Sequence, residues 1–183
     1  PRYRLSLGVR AVGLRGDTLC GDAGTCFQVR TLQYVLLCDG MGTGAGAKAD
    51  AEEAISLLRA MITAGFAAPE AMALLLDRFR HDSLFASEYR DFLWQTLCTT
   101  TTGMNKLRAG LPDGTTIGHK TGSSDRDARG VKIADNDLGY VELPDGSGYA
   151  ICVYVAETAL SDGETAALIA EISRLVWQRL SAE

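Results

Sequence analysis

The stretch Leu138-Gly139-Tyr140-Val141-Glu142-Leu143-Pro144-Asp145-Gly146-Ser147-Gly148-Tyr149-Ala150-Ile151-Cys152-Val153-Tyr154-Val155-Ala156 decides the fold. Pro144-Asp145-Gly146-Ser147 supplies turn residues between two strand-like runs, so 138–143 and 149–156 read as an antiparallel hairpin. The second arm is apolar on both faces, which predicts a strand in the middle of a sheet with the C-terminal helix packed on it.

Outward from the hairpin, residues 115–122 read as a third strand. Residues 162–180 read as a closing helix buried through Leu168, Ile172, Leu175 and Val176. Upstream the period is helical. Ile55, Leu58, Ile62 and Phe66 share one face of a helix over 45–66, opposite Glu52, Glu53 and Arg59. Pro69-Glu70 opens a second helix with Met72, Leu75, Leu76 and Phe79 on its apolar face. A third runs from Ser87 to about Leu97, carrying Tyr89, Phe92, Leu93 and Trp94. Before the helices, 3–12 alternates like a half-buried strand and 13–24 reads as loop. Phe27-Gln28-Val29 is strand-like, and Tyr34-Val35-Leu36-Leu37-Cys38 reads as a buried strand. The order ββ-αα-α-βββ-α predicts an α/β or α+β fold, a mostly antiparallel sheet with packed helices, in one compact domain over 1–183.

Composition sets the outer limits. The chain has 183 residues, 46% hydrophobic and 22% charged, which excludes disordered, collagenous and low-complexity classes. A formal charge of −5 argues against nucleic acid as a partner. No apolar run approaches the roughly 20 residues of a membrane span. The chain opens on Pro1 without an apolar leader, which reads as a fragment or a processed chain. Five cysteines, at 20, 26, 38, 98 and 152, show no CxxC spacing and read as small hydrophobes under reducing conditions, which favours the cytoplasm. Nothing in the sequence sets the oligomeric state.

Two stretches carry chemistry. The first joins Cys20-Gly21-Asp22 to Cys38-Asp39-Gly40-Met41-Gly42-Thr43-Gly44. An Asp leaving an apolar strand before glycines and a helix points its carboxylate into a crevice, and Mg²⁺ or Mn²⁺ take such oxygen ligands. A turn ending a strand is the plainer reading. The second stretch is His119-Lys120-Thr121-Gly122-Ser123-Ser124. A Lys and a Thr hydroxyl on a strand edge bind a carboxylate by charge and hydrogen bonding, and Gly122 lets a ligand lie against the strand. Here the plainer reading is a solvated strand end.

Residues 3–76 resemble the N-terminal half of a SpoIIE-type phosphatase domain, a bacterial branch of the metal-dependent PP2C-like serine/threonine phosphatases. The carriers are Gly21-Asp22, the run from Asp39 to Gly44, the Ala-rich helix after it, and Ala64-Gly65-Phe66. The resemblance implies Asp22 and Asp39 as ligands of Mg²⁺ or Mn²⁺, with Gly40 offering its carbonyl. It ends near residue 77, before the family's later acidic ligands.

From about residue 74 to 180 the chain resembles the C-terminal part of a class A β-lactamase, close to the branch found in Bacteroides-type bacteria. The carriers are Phe85, Tyr89, 92–95, 99–105, 119–126, Asn136-Asp137-Leu138-Gly139, Leu143-Pro144-Asp145-Gly146 and the closing helix. The resemblance implies that Lys120, Thr121 and Gly122 bind a β-lactam carboxylate and that the Ser123 N–H forms part of an oxyanion hole. The family's S-x-x-K occurs nowhere in these residues. Ser56-Leu57-Leu58-Arg59 comes nearest, and Arg stays protonated, so it is no general base. S-D-N is absent, Ser161-Asp162-Gly163 lies in the wrong place, and the deacylating Glu has no candidate.

The expectation is a catalytically incomplete relative of the serine hydrolases that binds a carboxylate or β-lactam at most. The alternatives are a phosphatase relative with a partial metal site and a non-catalytic hybrid domain. The two segments, 1–76 and 77–183, meet within 67–79, and the first supplies a strand pair and helix suited to complete the sheet of the second.

Overall fold

The computed structural model describes residues 8, 12–13, 19–40, 42–81 and 87–182. The strand expected over 3–12 lies outside the described residues apart from Gly8 and Val12. The elements are β1 (Ala23–Val29), β2 (Leu32–Cys38), α1 (Gly44–Thr63), α2 (Ala68–His81), α3 (Ser87–Cys98), a 3-10 turn (Leu107–Gly110), β3 (Ile117–Ser123), β4 (Lys132–Glu142), β5 (Gly148–Thr158) and α4 (Asp162–Leu180). Order and type follow the sequence reading. The chain divides into two compact units, Pro1–Ala71 and Met72–Glu183, with the division inside α2.

In the first unit β1 and β2 pair antiparallel, from Ala23 opposite Cys38 to Val29 opposite Leu32. Phe27 and Tyr34 stack at 5.3 Å, and the Arg59 guanidinium of α1 lies 5.2 Å from the Phe27 ring. Helix α1 buries Ala47, Ala51, Ile55 and Ile62, spaced along one face. Phe66 falls beyond the helix and is exposed. The expectation of a fully buried β2 is corrected. Cys26, Val35 and Leu37 lie on the other face of the ribbon and are exposed, Leu37 at 77%. An apolar run in a two-stranded ribbon with a helix on one face is buried on that face alone.

In the second unit β3, β4 and β5 form an antiparallel sheet in that order. Ile117 faces Val141 and Ser123 faces Asp135 across β3–β4, while Glu142 faces Gly148 across β4–β5. One face of the sheet carries Ile117, Val141, Ile151 and Val153, packed with Leu107 of the 3-10 turn and Ile169 of α4. The other face receives α3 and the end of α2. Trp94 stands edge-on to Tyr140 at 6.2 Å and fills the space a side chain at Gly118 would need. Arg80 pairs with Glu142 at 2.5 Å, and His81 is hydrogen-bonded to the Tyr140 hydroxyl at 2.7 Å.

Three expectations change here. The central strand is β4, and β5 stands at an edge. Apolar character on both faces reports cover above and below a strand, not hydrogen-bonded neighbours on both sides. Among the described residues β1 and β2 pair only with each other, so there are two small sheets in place of one completed sheet. Helix α4 keeps its predicted bounds but buries Thr165, Ala166, Ile169 and Ser173, leaving Leu168 and Leu175 exposed.

Candidate functional site

Strand β3 carries Lys120-Thr121-Gly122-Ser123 at the outer edge of the sheet, so successive side chains leave on opposite faces. Lys120 is exposed, and its ammonium donates to the Thr121 carbonyl at 2.5 Å. The Thr121 hydroxyl donates to Thr102 at 3.4 Å, and Thr102 shares a hydrogen bond with Thr100 at 3.1 Å. Gly103 lets this turn lie against the strand. It has φ +69°, and a Cβ there would run into the Thr121 methyl group. Ser123 is exposed, yet its hydroxyl donates to the Asp135 carboxylate.

Behind the motif lies a polar layer that sequence reasoning did not assemble. Lys106, Lys132 and Asp135 are all buried. The Lys106 ammonium lies 2.7 Å from Asp135 Oδ1, 3.3 Å from Ser123 Oγ and 3.4 Å from the Asn136 carbonyl. Lys132 sits 3.6 Å from Asp135 and 3.1 Å from Asp162, which Arg126 holds at 2.6 Å. Burial by itself would raise the Asp135 carboxyl. Hydrogen bonds from Lys106 and Ser123, with the charges of both lysines, outweigh it and hold that carboxyl below the usual carboxylate range. Two residues along β4, His119 Nδ1 donates to both oxygens of Asp137 at 3.0 and 3.1 Å, and the Leu107 backbone N–H donates to the same carboxylate at 3.1 Å.

These contacts fix β3 from behind. Buried carboxylates need paired charge or donors: Asp135 has both, and Asp137 has donors from the His119 ring and the Leu107 N–H. A signal was present in the sequence. Asp135 and Asp137 sit at i and i+2 in a strand, hence on one face with Gly139 and Val141, and two acids on a buried face require cations or donors facing them.

The metal-ligand candidates lie in the other unit. Asp22 and Asp39 are both exposed, at the end of the ribbon where Ala23 meets Cys38. Both carboxylates act on the Cys38 thiol, whose pKa is raised by burial first and then by Asp39 and Asp22. Gly40 is buried against Gly21 and Ala47. Among the described residues no three His, Cys, Asp or Glu side chains come together to hold a metal. The phosphatase resemblance thus has two exposed carboxylates and one backbone carbonyl to offer Mg²⁺ or Mn²⁺ here. The five cysteines are free thiols, Cys26 exposed and the rest half-buried, and burial pushes Cys152 up to about 11.

Residues 34–180 match the model of the Beta-lactamase enzyme family, Beta-lactamase2, and the chain belongs to that family. It is similar to a beta-lactamase of Bacteroides uniformis, 50% identical over 113 residues, which cover 61% of this chain and 38% of that protein. It is also similar to the beta-lactamase VEB-1 of Pseudomonas aeruginosa, 36% identical over 114 residues, again 61% of this chain and 38% of that one. Among solved structures, a class A beta-lactamase from Bacteroides cellulosilyticus superposes with a TM-score of 0.65 at 37% identity, over 76% of this chain and 55% of that one. The chain therefore spans well under half the length of these two curated relatives. The family match opens at Tyr34 and takes in β2, α1 and α2, inside the segment that the sequence reading gave to a phosphatase. The matches give the phosphatase resemblance of 3–76 no support.

Proposed function

We propose that this chain is a β-lactam-binding member of its family, holding a ligand carboxylate at Lys120, Thr121 and Gly122 and a carbonyl oxygen at the Ser123 N–H. We further propose that these 183 residues do not turn the ligand over. The observation that carries the reading is the outer strand itself. Lys120, Gly122 and Ser123 are exposed on β3, while His119 and the Ser123 hydroxyl are tied from behind to Asp137 and Asp135. A strand locked on one side and open on the other is suited to receive a ligand without rearranging. The absence of S-x-x-K within the 183 residues supports the second part, because covalent acyl transfer needs nucleophile and base together. Losing the nucleophile costs on the order of 10⁶ in rate, leaving only what oxyanion donors and binding supply.

Calorimetric titration with benzylpenicillin, beside a nitrocefin assay, tests both parts. The expected result is benzylpenicillin binding that Lys120→Ala weakens at least fivefold, with no nitrocefin turnover. Binding indifferent to Lys120→Ala contradicts the first part, and turnover lost in Lys120→Ala contradicts the second.

A further inference from the structure

The polar layer behind β3 bears directly on what the motif accepts. Ser123, the exposed residue that closes Lys-Thr-Gly-Ser, gives its hydroxyl to Asp135 rather than to solvent. The Lys106 ammonium lies 3.3 Å behind that hydroxyl and is itself 2.7 Å from the same carboxylate. Lys132, at 3.6 Å from Asp135, is shared with Asp162. Asp135 thus joins the motif's hydroxyl to two buried ammonium groups.

We infer that Asp135 is a specificity-determining residue that closes the Ser123 end of β3 to ligand carboxylates. The inference rests on the β-lactam-binding reading above. A carboxylate arriving at Ser123 meets a hydroxyl that is already donating and a negative charge one hydrogen bond behind it. With residue 135 neutral, the hydroxyl is free to turn outward and donate, and Lys106 stands behind it as an unmatched positive charge. Recognition of the carboxylate then rests on two places along the strand, Lys120 and Ser123, where Asp135 restricts it to one. A residue that repels one class of ligand is as much a part of specificity as one that attracts another.

The test compares benzylpenicillin with its methyl ester, which lacks the carboxylate, on the full chain at low salt. Asp135→Asn and Asp135→Ser are each expected to bind benzylpenicillin at least tenfold more tightly than the parent, with no gain for the ester. Adding Lys106→Met to Asp135→Asn is expected to return affinity to within threefold of the parent. In Lys120→Ala, an exposed change that leaves Asp135 in place, acid and ester are expected to bind within twofold of one another. The inference is overturned if a folded Asp135 variant gains nothing, or if the gain extends to the ester. It is equally overturned if Lys120→Ala still prefers the acid tenfold, a result that needs no Asp135 variant to fold. A parent that binds acid and ester alike contradicts the underlying reading, whereas a parent that prefers the acid beside Asp135 variants without gain contradicts the inference alone.

Discussion

Lys106 has a flexible four-carbon stem and a strongly hydrated head, yet it is only 7% exposed, and its ammonium is satisfied by Asp135, Ser123 and the Asn136 carbonyl. Removing one partner of a buried pair strands the other. Lys106→Met should therefore cost about 3 kcal/mol, the lower end of the range for breaking such pairs, because Lys132 remains 3.6 Å from the carboxylate. The double change Lys106→Met with Asp135→Leu should recover a good part of that loss in urea unfolding. Equal instability of single and double variants would contradict the pairing. Acid behaviour belongs to the same residue. The Asp135 carboxyl is held lower in the folded chain than in the unfolded one. Its contribution is therefore full above the unfolded value of about 4 and is lost as pH falls through the folded value. Thermal melts from pH 6 downward should show the midpoint falling below about pH 4, less steeply in Asp135→Asn. The cluster was not assembled from the sequence, where Lys132 and Asp135 share β4 but Lys106 lies 29 positions before Asp135, just ahead of the 3-10 turn. Only the strand register sets Ser123 opposite Asp135.

Elements were more legible than partners. Helix α4 begins at Asp162 because Ser161 and Glu164 form a reciprocal capping box, and its bounds agree with the sequence reading. Ser161→Ala should cost about 1 kcal/mol, measured as a shift in the urea midpoint, and no shift would remove the cap from the account. The face of that helix was read half correctly: Ile172 and Val176 pack beside Ile169 against the core, whereas Leu168 and Leu175 are exposed. Toward the 3-10 turn the helix presents small residues, Ala166, Ala170 and Ser173, and the turn comes so close that a side chain at Gly110 would strike the Ala170 carbonyl and Ser173. Small residues leave a weak hydrophobic signal while permitting the tightest approach. Gly118 plays a comparable part on the opposite face of the sheet. Gly118→Ala drives a methyl group into the Trp94 ring and should destabilise the unit by about 1–3 kcal/mol, with a change in near-ultraviolet dichroism as the indole shifts. An unchanged spectrum and midpoint would mean that α3 does not rest on β3 as described.

At the scale of the whole molecule, family membership was legible and its extent was not. Lys120-Thr121-Gly122, Asn136-Asp137 and the closing helix carried the β-lactamase resemblance, because a chemical motif survives as a local string. The glycine-rich run after β2 drew the N-terminal segment toward another family, although the family match begins at Tyr34. A glycine turn between strand and helix is a shape that many folds share. The most direct test of the central claim, that the outer strand of this sheet receives a β-lactam carboxylate, is an amide-resolved NMR titration with benzylpenicillin, followed by an intact mass. The account predicts perturbations centred on residues 119–124 and on the 102–103 turn behind Thr121, abolished in Lys120→Ala, with the mass unchanged. Perturbations confined to other elements, or an acyl adduct on any serine, would contradict it.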